Sequence, residues 1–214
     1  MQRSIARIGF WASVIALVGA VGYVATVPLQ ILEWVTPLSN AYIAYAFSLI
    51  ITVPFLISML ALHHTTPVEK QFWTHAAVSL AIIYVTLCAL NYVVQMATVL
   101  PAGYIWTFDN LEGTRGPLSL LNQTPHSLFW DVDALGYIFL NLATIFASFA
   151  FERSGVEKWV RRIFLFNGCI TPLFAVAYFY PVFSPSVLMF GLPWAVTVPA
   201  CFIALAQLFR HRAK

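Results

Sequence analysis

Six apolar runs, each about 20 residues long, dominate the sequence and leave few folds open to it. A helix that crosses the hydrocarbon core of a bilayer needs about 20 apolar residues, which is the length of these runs. Barrel strands of about ten alternating residues are absent, and backbone left unpaired in lipid costs several kcal/mol per group. We therefore predict an all-α fold, a single domain over residues 1–214, with transmembrane helices near residues 8–31, 41–62, 75–99, 128–151, 163–182 and 187–209.

Charged residues are too scarce for a second, soluble domain. They make up 9% of the chain, whereas hydrophobic residues make up 61%. A soluble domain carries about 25% charged residues. We expect the lipid bilayer to be the main partner, and no nucleic acid to bind.

The basic residues predict how the helices are oriented. The chain has 11 Lys and Arg residues, and all but Arg115 fall at the termini or in the second and fourth loops. Cytoplasmic loops carry the excess of Lys and Arg in membrane proteins. This distribution predicts that both termini are cytoplasmic and that the long loop over residues 100–127 is extracytoplasmic.

The fourth run carries a polar stripe. Asp133, Tyr137, Asn141, Thr144 and Ser148 are spaced by four, four, three and four residues. This spacing places all five on one face of a helix, and that face must be hidden from lipid by the other helices. Asp131 does not share the phase of this stripe, so of the two aspartates we expect Asp133 to face inward.

The third run brings two amides to the same depth. It runs outward and the fourth runs inward, so Asn91 and Gln95 should lie level with Asp133 and Tyr137. Amides are costly in lipid unless they are hydrogen-bonded. They either join helices, in bonds worth about 0.6 kcal/mol on average, or line a site that binds a ligand. Both interpretations remain open from the sequence.

The first two runs add polar groups at their outer ends. Together with those of the third and fourth runs, these groups predict a polar cup that opens toward the extracytoplasmic side. Glu33 has an alternative interpretation as an interfacial carboxylate in water beside Trp34. Carboxylates, amides and tyrosine hydroxyls in such a cup would favour a small polar or cationic ligand. The candidate ligand-binding residues are Asp133, Asp131, Tyr137, Asn141, Asn91, Gln95, Gln30, Glu33 and Tyr45.

The sequence predicts no catalytic residues, no metal site and no cofactor. The three cysteines lie inside apolar runs without a CxxC pair, so we interpret them as core residues. The adjacent His63 and His64 would point about 100° apart on a helix. His75 and His126 lie at opposite ends of the bundle, which argues against two histidines binding a haem.

One stretch of the C-terminal half resembles a known group of proteins. It reads NQTPHSLFWDVDALGY, followed by an apolar segment ending in FE and then by WVRRIFLFNG. This pattern is similar to an uncharacterised bacterial six-span integral membrane protein family, a domain of unknown function. The resemblance implies a location in the bacterial inner membrane, and it implies no activity and no site residue.

Three functions follow from these patterns. The leading one is an integral membrane protein with an outward-facing polar pocket, a transporter or sensor of a small molecule or cation. The second is a non-catalytic membrane subunit or scaffold, with a second copy of the chain or another membrane protein as its partner. The third is an intramembrane enzyme that uses paired carboxylates for acid–base chemistry. Whether the space between the first, third and fourth helices is open or filled would discriminate the first two.

Overall fold

The computed structural model describes residues 2–103 and 120–214, and all regular secondary structure within these ranges is helical. Arg115 and the rest of the long loop's centre lie outside the described residues. Six segments are long and apolar enough to cross a membrane: Gln2–Ile31, Pro37–His64, Val68–Ala102, Leu128–Ser148, Gly155–Phe179 and Pro185–Arg212. The predicted all-α transmembrane bundle is thereby confirmed.

Eight α-helices build these segments in the described ranges. They are α1 (Gln2–Ile31), α2 (Pro37–His64), α3 (Gln71–Val94), α4 (Leu128–Ser148), α5 (Gly155–Cys169), α6 (Thr171–Phe179), α7 (Pro185–Leu188) and α8 (Trp194–Arg212). A π-helical turn over Gln95–Val99 extends α3. The fifth span is α5 followed by α6, and the sixth is α7 followed by α8.

Local sequence explains where several helices begin. The Thr36 hydroxyl accepts a hydrogen bond from the Ser39 backbone amide at the start of α2, and Pro37 occupies the first turn. Ser127 caps α4 in the same way, through the Trp130 amide at 3.2 Å. Such side chains satisfy amides that have no partner inside the helix, and proline in the first turn costs no hydrogen bond. Pro172 likewise starts α6, which separates it from α5.

The helices pack in a ring in the order α1, α2, α3, α4, α5 and α8, with α6 against α4. Helix α1 packs on α2 and α8, α3 packs between α2 and α4, and α5 contacts both α4 and α8. Gly9 near the start of α1 lies against Phe209 near the end of α8, so both termini lie at one end of the bundle, the termini end. The opposite end, the distal end, carries the turn between α1 and α2 and residues 120–127.

The outside of the bundle is apolar. Large side chains such as Ile15, Val18, Val53, Leu90 and Ile203 are exposed along the helices. Exposed apolar surface this extensive is unfavourable in water. It is the surface that an integral membrane protein presents to lipid.

Candidate ligand-binding site

Asp133 lies inside the bundle near the distal end. It is 4% exposed. Its Oδ1 accepts a hydrogen bond from Asn91 Nδ2 at 3.0 Å, and its Oδ2 accepts one from Gln123 Nε2 at 2.8 Å. The inward phase predicted for Asp133, and its reach to an amide of α3, are both confirmed. The buried carboxylate is held by neutral amide donors.

Gln95 joins the same group from the π-helical turn that extends α3. Its Nε2 donates to Asn91 Oδ1 at 3.2 Å and to the Leu121 carbonyl at 2.6 Å. Gln95 is fully buried and begins the π-helical turn, a distortion often found at functional sites. Asn91, Gln95, Gln123 and Asp133 form one connected set, which we name the amide–carboxylate cluster.

The fourth member, Gln123, was not among the predicted site residues. It precedes α4, where helical periodicity gives no information. Its amide nitrogen binds Asp133, and its Oε1 accepts a weaker hydrogen bond from Asn91 at 3.4 Å. Residues 121–123 therefore lie across the distal ends of α3 and α4 and cover the carboxylate.

Close contact between α3 and α4 brings the cluster together. A Cβ atom at Gly136 would lie 2.4 Å from Cys88 Sγ, so this position has no room for a side chain. Gly136 lies one turn beyond Asp133, and Cys88 lies one turn before Asn91. The missing side chain lets the two helices approach until the short polar groups can meet.

A layer of aromatic residues lies beneath the cluster. The hydroxyls of Tyr92 and Tyr137 are 2.6 Å apart and share a hydrogen bond. The Tyr45 ring lies 6.0 Å from that of Tyr92, and Tyr137 packs edge-to-face on Trp194 with ring centres 4.9 Å apart. Tyr45 and Tyr137, both predicted site residues, thus belong to this layer. Tyr92 and Trp194 are additional members.

Several buried polar atoms have no hydrogen-bond partner among the described residues. In the cluster this atom is Gln95 Oε1, and in the aromatic layer it is Trp194 Nε1. The hydroxyl of Tyr84, whose ring lies 5.8 Å from that of Tyr137, is another. Native proteins leave few buried polar atoms unpaired, and such an atom is free to bind a water, an ion or a ligand. The region around Asp133 therefore retains free hydrogen-bonding capacity, including one carbonyl oxygen.

Asn141 belongs to a different group. Asn167 of α5 donates from Nδ2 to Asn141 Oδ1 and to Thr144 Oγ1, both at 3.0 Å. These contacts join α4 to α5, on the termini side of Tyr137. Asn141 thus shares the stripe of Asp133 but contacts another neighbour.

Only three of the nine predicted site residues belong to the cluster, and of the other six, three belong neither to the aromatic layer nor to the Asn141 group. Asp131 is exposed, because a residue two positions from Asp133 points about 200° away on a helix. Glu33 is also exposed, in the turn after α1, where its φ is 55°. Gln30 accepts a hydrogen bond from Asn40 at 3.3 Å, which ties α1 to α2. The grouping of all nine residues in one cup is therefore too wide.

The cluster is filled rather than open. Asn91 and Gln95 are 0% exposed, and their side chains bind one another and residues 121–123. Within the described ranges, no group of three or more His, Cys, Asp or Glu could hold a metal ion. The oxygen atoms at this site come from one carboxylate, amides and tyrosines.

The six spans and the buried polar centre define a polytopic integral membrane protein. Comparison with family models, with curated proteins and with solved structures finds no match to this chain.

Proposed function

We propose that the protein binds a small cation or a protonated amine at the amide–carboxylate cluster, as a transporter or a sensor. The observation that carries this proposal is a carboxylate, Asp133, that is buried without a cationic partner among the described residues. Ion pairs in those residues join Lys70 to Glu152 and Arg212 to Glu157. Charged groups inside a membrane are costly and mark ion or substrate sites in membrane proteins.

The surrounding atoms suit a cation. Gln95 Oε1 is a buried acceptor without a partner in the described chain, and it belongs to an amide that contacts Asn91 beside Asp133. Carboxylate and amide oxygens are the ligands that hard cations prefer. The aromatic layer adds ring faces that attract an ammonium group. A ligand that carries hydrogen-bond donors could bind both the carboxylate and this free oxygen.

Gln123 occupies the position where such a ligand would bind. Its amide nitrogen contacts Asp133 Oδ2, and it comes from a connecting segment rather than from a helix. Movement of the Gln123 side chain would release Oδ2 of Asp133, while Asn91 still holds Oδ1. Under this proposal, the filled site is the ligand-free state, and the amide of Gln123 takes the place of the cation.

The distribution of basic residues supports an orientation for the site. With the basic termini end in the cytoplasm, Asp133 faces the extracytoplasmic side. The resemblance of residues 122–137 to bacterial six-span proteins supports placement in the bacterial inner membrane. The proposal therefore includes this orientation and a location in the bacterial inner membrane.

A stability measurement with matched variants tests the proposal. The purified protein in detergent is heated with chloride salts of sodium, potassium, choline or spermidine at constant ionic strength. We expect at least one of these cations to raise the unfolding temperature of the wild type and of Asp131→Asn, but not of Asp133→Asn. Ligand at 100 times Kd stabilises a protein by about 2.7 kcal/mol. Equal shifts in all three proteins would contradict binding at Asp133.

The second candidate function is a non-catalytic membrane subunit or scaffold. The observation that favours it is the filled cluster, in which the polar groups of α3 and α4 bind one another, as those of α4 and α5 do, and so hold the helices together. Under this alternative, no cation shifts the unfolding temperature of any variant. Asp133→Leu would then cost about 1–3 kcal/mol of stability, because Asn91 Nδ2 and Gln123 Nε2 would both lose their acceptor.

A further inference from the structure

A basic hollow lies at the termini end, beside the first half of α5. It has a volume of about 190 Å³ and is lined by Arg153, Lys158, Arg161, Arg162 and Leu165. Four of these five residues are cations. The hollow lies at the opposite end of the bundle from the amide–carboxylate cluster and belongs to no part of the proposed function.

The nearest acidic residues along the chain do not neutralise this hollow. Glu152 forms an ion pair with Lys70, and Glu157 forms one with Arg212 at 2.7 Å. Glu157 Oε2 also accepts a hydrogen bond from the Glu152 amide. Both carboxylates are thereby directed to other partners, and the lining of the hollow keeps its positive charge.

Helix α5 adds to this potential. It begins at Gly155, so its amino-terminal end, which carries a partial positive charge, lies among the basic residues. The field of the helix and the charges of the side chains therefore have the same sign. An anionic group is the ligand that this combination attracts.

Aromatic residues place the hollow at the surface of the bilayer. Trp159 is 62% exposed, and its ring stacks with the Arg162 guanidinium at 5.2 Å. Tryptophans concentrate at the level of lipid headgroups. Phe166, one turn beyond Arg162, is 64% exposed and marks where the apolar surface of the span begins. Leu165 supplies an apolar lining to the same hollow.

We infer that this hollow binds the phosphate of an anionic phospholipid, with the acyl chains on the apolar surface beside Leu165 and Phe166. Clusters of lysine and arginine next to a membrane-spanning helix attract the headgroups of acidic lipids. Arginine suits phosphate because its planar guanidinium can donate two parallel hydrogen bonds. A free phosphate shares the headgroup chemistry but would not use the apolar surface.

Native mass spectrometry of the full chain in detergent tests this inference. The probes are dioleoyl-phosphatidylglycerol, dioleoyl-phosphatidylcholine and soluble glycerol phosphate. We expect the wild type to retain phosphatidylglycerol in preference to phosphatidylcholine, and Arg161→Gln/Arg162→Gln to lose about tenfold in apparent affinity. Arg3→Gln/Arg7→Gln removes the same charge from exposed residues of α1 at the same end, and should keep the preference.

Each remaining outcome overturns the inference. An equal loss in both double variants would show a general surface attraction, and no loss in either would show that the hollow is not used. If glycerol phosphate displaces the lipid at equal concentration, the site recognises free phosphate. Arg161→Lys/Arg162→Lys, which keeps the charge, serves as the folding control and should retain most of the binding.

Discussion

Gln123 donates a 2.8 Å hydrogen bond to the buried carboxylate of Asp133, across the start of the helix that carries it. The two residues are ten positions apart, and only Asp133 belongs to the helix. The connecting segment thereby supplies one of the two amide donors that make a buried carboxylate tolerable, and Asn91 supplies the other.

Removing the Gln123 amide should destabilise the protein. In Gln123→Leu, Oδ2 of Asp133 loses its donor while remaining buried, which costs about 1–3 kcal/mol. The free energy of unfolding in mixed micelles measures this loss. Leu120→Ala, at an exposed position in the same segment, is the control and should change stability little. A Gln123→Leu protein as stable as this control would show that the bond contributes nothing.

The hydroxyls of Tyr92 and Tyr137 should act as a pair, because they lie 2.6 Å apart in the interior. Tyr92→Phe and Tyr137→Phe should each cost about 1 kcal/mol. The double variant should cost less than the sum, with a coupling of about 0.5–3 kcal/mol in a double-mutant cycle. Strict additivity would mean that the two hydroxyls do not interact.

Gly136 should not tolerate even a methyl group. In Gly136→Ala, the new Cβ would meet Cys88 Sγ at 2.4 Å, so the thiol must shift or α3 and α4 must separate. We expect a loss of about 1–3 kcal/mol, the usual range for an overfilled interior. Adding Cys88→Ala removes the clashing sulfur and should restore part of the stability, as thermal unfolding would show. If the double variant is no more stable than Gly136→Ala, the methyl group does not clash with Cys88 Sγ.

Two ion pairs at the termini end should contribute different amounts to the free energy of unfolding. Arg212 is mostly buried and bonds to Glu157 at 2.7 Å and to the Thr65 hydroxyl at 2.9 Å, which ties α8 to α5 and to the end of α2. Arg212→Gln should therefore cost more than about 1 kcal/mol. The Lys70–Glu152 pair is more exposed, so Lys70→Gln should cost at most about 1 kcal/mol. Chemical unfolding compares them, and the reverse order would contradict this ranking.

The orientation can be tested by labelling single cysteines in a background without native cysteines. Trp34→Cys at the distal end and Lys158→Cys at the termini end are both at exposed positions. In intact bacterial cells, a maleimide that cannot cross the membrane should label position 34 and leave position 158 unlabelled. Labelling of position 158 alone would reverse the orientation and place Asp133 near the cytoplasm.

Features that depend on a single helix could be predicted from the sequence. The length of the apolar runs predicted the six spans. The spacing from Asp133 to Ser148 predicted a buried helix face, and all five residues of that stripe are buried. The reach from Asp133 to Asn91 followed from the opposite directions of adjacent spans. These features depend on helical period and length, which the sequence shows directly.

Two kinds of feature could not be predicted from the sequence: contacts made by connecting segments, and which neighbouring helix each polar residue contacts. Gln123 precedes the helix, so no period relates it to Asp133. The stripe on α4 extends about 22 Å at 1.5 Å per residue, which is long enough to meet different helices at its two ends. Asn141 therefore contacts α5 while Asp133 contacts α3. Glu33 follows the last residue of α1, Ile31, and so leaves the helical phase assigned to it.

Difference infrared spectroscopy of the carboxyl groups tests the central claim most directly. A film of the protein is exposed to the cation that raises its unfolding temperature, and spectra with and without that cation are subtracted. We predict a carboxylate band that shifts in the wild type and in Asp131→Asn, because the cation replaces the Gln123 amide, and that is absent in Asp133→Asn. The same band in Asp133→Asn, or its loss only in Asp131→Asn, would contradict the assignment of the site to Asp133.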